Sequence, residues 1–324
     1  MKLFIQIPCL NEAEFLPATL KALPRTVEGF TEVYWLVIDD GSDDNTAEVA
    51  LAHGVDYVVR FSHNQGLASA FQAGVDACLK LGADVIINTD ADNQYDASAI
   101  PALVKPILDG VADVVVGDRD TKNVTEFSWL KRKLQTFGTA VVQNFSGVPV
   151  TDATSGFRAF DREAAMQINL VSKFTYTIES LIQVNEASLA LANTPVKRNE
   201  SVRPSRLFGS TWKYIRRNAW TMMRIYVQYR PLKLFMPLGF GFMFLSGLAF
   251  LPWIIDNLSP PATPHLQSVI VGAVLFLAGV QVILFGIIAD SIYSVRSLTS
   301  KTLKRVRDVE LRVGVEPPVM KKRD

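Results

Sequence analysis

Asp84-Val-Ile-Ile-Asn88-Thr89-Asp90-Ala91-Asp92-Asn93-Gln94 reads as a short β-branched strand that runs straight into a polar, acidic turn. Four similar runs accompany it, at Leu3–Ile7, Val33–Ile38, Tyr57–Arg60 and Asp113–Val116. Between them lie helical patterns at Glu12–Ala22, Thr46–His53, Leu67–Leu81 and Ala97–Leu108. Strands that alternate with helices predict a mainly parallel, Rossmann-like α/β sheet with helices on both faces. Ligands of such sheets bind outside the carboxyl ends of the strands. The polar clusters fall there: Asn11-Glu12 after the first strand, Asp39-Asp40-Gly41-Ser42 after the second, Asn64-Gln65-Gly66 after the third, and Asp90–Gln94 after the fourth.

Asp90 and Asp92 lie one pleat apart and point to the same side. With Gln94 they offer hard oxygen ligands, suited to Mg²⁺ or Mn²⁺ rather than to a soft metal. A solvated turn is the plainer reading of the same residues. Asp39-Asp40-Gly41-Ser42 is first of all turn chemistry; its functional reading is a carboxylate that accepts from the imide N–H of a base. Thr151-Asp152-Ala-Thr-Ser155-Gly-Phe-Arg158 allows a structural turn with Arg158 paired to Asp152 or Glu163. A basic set, Arg119, Lys131-Arg132-Lys133, Arg198, Arg203 and Arg206, has the right chemistry for bidentate phosphate contacts. Neither a GxGxxG after the first strand nor a GxxxxGK[ST] occurs, so the dinucleotide fingerprint and the P-loop are both missing. His53, His63 and His265 are too dispersed for a metal or catalytic cluster, and nothing suggests acyl transfer. No nucleic-acid partner is expected.

The 324 residues carry a formal net charge of +1, which hides a split. Residues 1–202 are acidic, with 16 Lys/Arg against 26 Asp/Glu, and residues 203–324 are basic, with 17 against 6. The apolar content of 49% excludes intrinsic disorder. Two cysteines, Cys9 and Cys78, exclude a disulfide scaffold and read as buried thiols. Leu234–Ile255 holds no charge across 22 residues and Leu266–Ala289 none across 24, enough to cross a bilayer twice. Basic residues flank both runs, while the connector Asp256–His265 has three prolines and no Lys or Arg. The positive-inside bias puts both termini and the first domain in the cytoplasm of a two-span membrane protein. Trp212–Tyr229 mixes aromatic and basic residues in the manner of a helix lying in the headgroup layer. The expected divisions are a domain over 1–208, an interfacial helix over 209–231, a transmembrane hairpin over 232–293 and a basic tail over 294–324.

Six motifs occur in one order over the first half: Pro8-Cys-Leu-Asn11-Glu12, Val37-Ile-Asp-Asp40-Gly-Ser42, Asn64-Gln-Gly66, Asp90-Ala-Asp92-Asn-Gln94, Gly117-Asp-Arg119 and Asp152-Ala-Thr-Ser155-Gly-Phe-Arg158. The series resembles glycosyltransferase family 2, and within it the polyprenyl-phosphate sugar transferases of the dolichyl-phosphate mannose synthase type. The resemblance implies a GT-A fold, an Mg²⁺ or Mn²⁺ cofactor, a nucleoside-diphosphate-sugar donor (UDP- or GDP-linked) and a membrane polyprenyl phosphate as acceptor. It further implies inverting transfer.

Pro8, Glu12, Asp39 and Asp40 fall where that family contacts the nucleotide. Asp90, Ala91, Asp92 and Gln94 fall on its metal and diphosphate motif, with Asp92 in the catalytic role, and Arg119 and Arg132 fall where the acceptor phosphate is held. Asp152, Ser155 and Arg158 are further candidates. The family's closing Arg-x-x-Gly-x-Ser-Lys is replaced by Arg198-Asn-Glu-Ser-Val-Arg203-Pro-Ser205-Arg206, which leaves Arg198, Arg203 and Arg206 as the diphosphate candidates. An aromatic family position is Leu10 here. A processive polysaccharide synthase and a non-catalytic nucleotide-sugar binder are the rival readings; the first normally needs more spans and a Gln-x-x-Arg-Trp motif. A homo-oligomer is among the expected forms.

Overall fold

In a computed structural model the described residues are 1–119, 150–170, 176–199, 223, 227–258, 265–318 and 320–321. They form two compact units, Met1–Pro204 together with Thr302–Asp324, and Ser205–Lys301.

The first unit is built on strands β1 (Lys2–Cys9), β2 (Glu32–Asp39), β3 (Tyr57–Arg60), β4 (Val85–Asn88), β5 (Val114–Asp118), β6 (Arg158–Asp161), β7 (Leu191–Pro195) and β8 (Met320–Lys321). They lie side by side in the order β7-β5-β6-β4-β1-β2-β3-β8. β1 pairs in parallel with β2 and β4, β2 with β3, and β5 with β7. β6 runs antiparallel between β4 and β5, and β8 runs antiparallel along β3. The expected mainly parallel sheet is present, with two antiparallel insertions that the strand reading did not contain.

Alternation along the strands explains why both faces are covered. Leu3, Ile5 and Ile7 of β1 enter one core with Leu16 and Leu20 of α1 (Leu16–Ala22), Ala47 and Ala50 of α2 (Thr46–Ala52), and Leu103 and Val104 of α4 (Ile100–Leu108). Phe4 enters the other core with Phe71, Val75 and Cys78 of α3 (Leu67–Lys80), Ala164 and Ala165 of α5 (Arg162–Gln167), and Tyr176 and Val184 of α6 (Tyr176–Glu186). Side chains of successive strand residues point to opposite faces, so a strand buried at nearly every position must be sandwiched.

The end of the chain belongs to this unit. The last helix, α8 (Leu266–Val313), brings Arg307 to the α3 and α5 face, where its side chain is buried. Arg307 Nη2 lies 2.9 Å from Asp76 Oδ1, and Nη1 donates to the carbonyls of Met166 and Ile168 at 3.1 and 2.7 Å. These are the open carbonyls at the end of α5, a favoured place for a basic side chain. Lys304 pairs with Glu163, Lys80 with Glu310 at 3.1 Å, and Leu311 packs on the second core. Of the stretch read as a basic tail, the described residues hold the end of α8 and the short β8, and from Thr302 onward they group with the sheet.

The second unit holds α7 (Pro231–Leu258) and the first part of α8, both long and apolar enough to cross a membrane. Glycines bring the two helices together. A Cβ on Gly239 would sit 2.5 Å from Ile283 Cγ1 and 3.0 Å from the Gly279 carbonyl, and Ser246 Oγ donates to the Gly272 carbonyl at 2.7 Å. Small residues at such a crossing are the usual way helices approach in lipid. Gly239, placed in a span by the sequence, packs there. The proposed interfacial segment lies mostly outside the described residues.

Candidate functional site

β1 has β2 on one side and β4 on the other, so connections leave it in opposite directions and a crevice opens over the carboxyl ends of these strands. Two loops at this rim are laced together. Asn11 N–H donates to Ser42 Oγ and Asp43 N–H to Asn11 Oδ1, each at 2.9 Å. Glu12 N–H donates to Thr46 Oγ1 at 3.0 Å and Ala13 N–H to Asp44 Oδ2 at 3.1 Å. Gly41 adopts φ +69°, and a Cβ there would lie 2.4 Å from the His63 carbonyl carbon, so only glycine fits. Pro8 and Glu12 are buried beneath these loops.

The two carboxylates of the Asp39-Asp40 pair have different tasks. Asp40 accepts from Gln65 and Gly66 N–H at 2.8 and 3.0 Å, which ties the β3 loop and the start of α3 to β2. Asp39 is wholly enclosed: Oδ1 accepts from Ser42 N–H at 2.9 Å, and Oδ2 lies 3.3 Å from Arg60 Nε at the end of β3 without a hydrogen bond. Beside them opens a cavity of about 580 Å³, lined among others by Leu10, Asn11, Ser42, Arg60 and His63. Arg60 was not singled out from the sequence, although it stands at a strand end by the same rule that drew attention to Asp39.

The acidic stretch after β4 rests on a buried polar chain. Gln6 Nε2 donates to Asn88 Oδ1 at 3.0 Å, and Asn88 Nδ2 donates to the Gly156 carbonyl at 2.8 Å and to Tyr176 Oη at 3.0 Å. Gly156 N–H donates to Tyr95 Oη at 2.9 Å, and Thr19 Oγ1 to the Ala91 carbonyl at 2.6 Å. Built on Gly156, a Cβ would approach both carboxylate oxygens of Asp90 to 2.9 Å. Burial, followed by the charge of Asp92, pushes the Asp90 carboxyl up to about 6, against the opposing pull of Arg119, the Tyr95 hydroxyl and Arg158. Asp92 is held by Gln94, which donates to it from both its backbone N–H, at 3.3 Å, and its side-chain amide.

The segment Lys197–Asn199 runs along this loop. Asn199 Nδ2 donates to the carbonyls of Asn93 and Tyr95 at 3.0 and 3.2 Å, and Asn199 N–H to the Gln94 carbonyl at 3.0 Å. Arg198, bridged to Tyr95 and exposed, is thereby set beside the acidic loop.

Arg119 and Asp152 form a fork. Arg119 Nε and Nη2 donate to Asp152 Oδ2 and Oδ1 at 2.7 and 3.0 Å, Nη2 also reaches Thr154 Oγ1 at 2.9 Å, and the guanidinium lies 5.8 Å from the Tyr95 ring centre. Burial alone would raise the Asp152 carboxyl; the bonds and charge of Arg119 outweigh it and hold the group below the usual carboxylate range. Asp90 and Arg119 are therefore brought together around Tyr95, a residue the sequence reading passed over.

Arg158 is elsewhere. Its side chain is fully enclosed and donates to the carbonyls of Ser155, Thr177 and Ala153 and to Ser180 Oγ at 2.7–3.0 Å. It pairs with neither Asp152 nor Glu163, as the structural reading of that turn had allowed, because Arg119 and Lys304 hold those carboxylates. Ser155 is equally buried. Arg132, Arg203 and Arg206 lie outside the described residues.

Asp90 and Asp92 present hard carboxylate oxygens at one rim, and the Asp90 carboxyl is raised first by its own burial and then by the charge of Asp92, both of which a divalent cation would offset. Among the described residues no three His, Cys, Asp or Glu side chains converge on one point. Mg²⁺ and Mn²⁺ are usually bound through one or two carboxylates, with water and phosphate completing the shell.

The sequence profile described as "Glycosyl transferase family 2" matches residues 4–168, and one described as "GtrB C-terminal hairpin" matches 230–295. The dolichyl-phosphate hexose transferase of Haloferax volcanii is 30% identical over 61% of this chain and 82% of its own. The polyprenol monophosphomannose synthase of Mycolicibacterium smegmatis is 33% identical over 52% of this chain and 63% of its own. In fold, the chain resembles the crystal structure of glucosyl-3-phosphoglycerate synthase from Mycobacterium tuberculosis in complex with Mn²⁺, UDP and glucosyl-3-phosphoglycerate. The TM-score is 0.51 at 21% identity, over 68% of this chain and 79% of that one. The mixed sheet is a GT-A fold, and the acidic rim stands where such sheets bind ligands. With the family profile running through β1, the Asp90 loop and β6 over more than half of its length, the chain belongs to glycosyl transferase family 2.

Proposed function

We propose that this protein transfers a sugar from a nucleoside-diphosphate-sugar to a membrane polyprenyl phosphate, with inversion at the anomeric carbon. One juxtaposition carries the reading. An acidic rim able to hold a divalent cation lies beside an arginine fork, in a chain whose next elements are two helices long enough to cross a bilayer. The names of the relatives given above support a polyprenyl-phosphate acceptor and a hexose as the group transferred.

The nucleophile is an oxygen of a phosphate monoester, already largely ionised near neutral pH because its second pKa is about 6. A bond forms between that oxygen and the anomeric carbon. The bond from the same carbon to the diphosphate oxygen breaks, and the nucleoside diphosphate leaves with the electron pair. No proton has to be removed, so no general base is required. Two problems remain, and both are electrostatic: two polyanions must meet, and negative charge grows on the departing diphosphate.

Asp90, Asp92 and Gln94 would hold Mg²⁺ or Mn²⁺, which when bound supplies Lewis-acid stabilisation of that charge. Arg119, aimed by Asp152, orients the acceptor phosphate together with Arg132. The cavity at Asn11, Ser42 and Arg60 receives the nucleoside, with Asp39 enclosed beneath Ser42 and Arg60, and Arg198 approaches the diphosphate. Preorganised donors of this kind lower barriers by several kcal/mol. Both apolar helices cross the membrane, with the sheet domain and the end of α8 on the cytoplasmic side.

The test is direct. Purified full-length protein in lipid vesicles receives undecaprenyl or dolichyl phosphate, Mn²⁺ or Mg²⁺ and a panel of UDP- and GDP-sugars, and the lipid fraction is analysed by mass spectrometry. A glycosylated polyprenyl phosphate that vanishes with EDTA and in Asp92→Asn is the expected result. Sugar polymer points to a processive synthase; donor binding without any product points to a binder. Either overturns the reading.

A further inference from the structure

The residues that follow β7, Val196 to Asn199, connect the strand that ends at Arg119 with the acidic stretch. Val196 N–H donates to the Asp118 carbonyl at 2.8 Å, one residue before Arg119. Asp96 N–H donates to the Lys197 carbonyl at 3.2 Å, and Arg198 bridges Tyr95 in antiparallel fashion. Asn199 completes the contact on three consecutive carbonyls. Its backbone N–H donates to Gln94 at 3.0 Å, while Nδ2 donates to Asn93 at 3.0 Å and to Tyr95 at 3.2 Å. A side-chain amide has two N–H groups, one for each of the carbonyls that flank Gln94. Asn93 has φ +54°, a left-handed conformation that asparagine tolerates better than most residues but less well than glycine. It stands between Asp92 and Gln94, so its backbone sets the directions in which those two side chains leave the loop.

We propose that Asn199 is a positioning residue that holds the acidic rim in the shape that takes a divalent cation and a nucleoside diphosphate. The role rests on the sugar-transfer reading above and gives Asn199 no contact with substrate. It acts through the backbone. The carbonyls of Asn93, Gln94 and Tyr95 all turn toward Asn199, and the left-handed turn between Asp92 and Gln94 is held from outside the loop. Tyr95 fixes the far end of the same turn. Its ring stacks on Phe157 with centroids 5.1 Å apart, and its hydroxyl accepts from Gly156 N–H at 2.9 Å. Arg198 directly precedes Asn199, so the bonds that hold the loop also hold the backbone of the diphosphate arginine beside it. The ordering cost is met in the folded protein before any ligand arrives, and preorganisation of that kind strengthens binding.

Full-length protein in vesicles tests it, by calorimetric titration with Mn²⁺ and UDP or GDP and by steady-state assays with donor and lipid acceptor varied separately. Asn199→Asp keeps the size of the side chain, removes both Nδ2 donors and sets a carboxylate against carbonyls. It should weaken Mn²⁺–nucleotide binding on the order of tenfold and raise the donor KM alike, with the acceptor KM unchanged. Asn199→Ala should show a smaller loss of the same kind. Asn93→Gly separates turn-holding from a general loss of stability. Glycine takes the left-handed turn freely, so adding Asn93→Gly to Asn199→Ala should restore part of the lost affinity. If Asn199→Asp fails to fold, Asn199→Ala and its Asn93→Gly partner decide the matter. Wild-type affinity in the Asn199 variants overturns the role, as does a loss that Asn93→Gly leaves untouched or one shared equally by donor and acceptor. A wild-type protein that binds neither nucleotide would instead refute the sugar-transfer reading, and the role of Asn199 with it.

Discussion

Arg119 holds Asp152 through two parallel hydrogen bonds of 2.7 and 3.0 Å, with 16% of the arginine side chain and 2% of the aspartate still exposed. The fork fixes the guanidinium plane. Asp152→Ala should release that plane and lower turnover on the order of 100-fold, the usual effect of losing one preorganised charged donor. Arg119→Lys should recover little, because an ammonium cannot reproduce the two-point grip. Steady-state assays with donor and lipid acceptor varied separately would show the defect chiefly on the acceptor side.

Protonation of Asp90 gives a pH dependence with a definite sign. Its folded pKa of about 6 lies above the ordinary carboxylate value, so the folded protein binds the proton more tightly than the unfolded chain does. The cost of the buried charge is present in full above that pH and is relieved as pH falls through it. Metal-free wild-type protein should therefore gain melting temperature relative to Asp90→Asn between about pH 7.5 and about pH 5. Thermal unfolding in EDTA at several pH values measures this; parallel curves for the two proteins would refute it.

Gly156 touches the acidic rim from below. A methyl group there meets both oxygens of Asp90 at 2.9 Å and the Tyr176 hydroxyl at 2.6 Å. Gly156→Ala should cost about 1–3 kcal/mol through overpacking, and should weaken Mn²⁺-dependent donor binding. Calorimetric titration with UDP-sugars and a melting curve separate the two effects.

Arg307 is a structural anchor. Arg307→Met leaves the Met166 and Ile168 carbonyls and Asp76 without their cationic partner, for a loss of roughly 2 kcal/mol. Arg312→Met breaks only an exposed helix pair with Asp308 and should cost no more than about 0.5 kcal/mol. Melting temperatures of the two variants, and protease sensitivity of the segment after Thr302, provide the comparison.

Much of this was legible in the sequence, for reasons that name its limits. Parallel strands buried on both faces are largely apolar, and β1, β2, β4 and β5 declare themselves that way, with Gln6 and Asn88 as the buried polar exceptions in β1 and β4. β6 and β7 do not: Arg158-Ala-Phe-Asp161 and Leu191-Ala-Asn-Thr-Pro195 carry little β-branched signal and exist because neighbouring strands complete their hydrogen bonds. β8 is two residues long and far removed in sequence from its partner β3.

At the candidate site, strand-end position singled out Asp39, Asp90, Asp92 and Arg119. It could not show that Asp40 serves two backbone N–H groups, that Arg158 is enclosed by carbonyls, or that Tyr95 joins Asp90 to the arginine fork. Those depend on which way a side chain turns after the strand stops, a matter of distant contacts that spacing does not record.

The return of Thr302–Lys321 to the first unit has a consequence for biosynthesis. When the ribosome has made Met1–Pro204, the outer edge of β3 has no neighbour and the last carbonyls of α5 have no cation. An open strand edge invites pairing with other chains. Both gaps close only after Ser205–Lys301 has been synthesised, so the hydrophilic half of the protein is finished last by the segment translated after the greasy one. Nascent chains halted before Thr302 should be the aggregation-prone species.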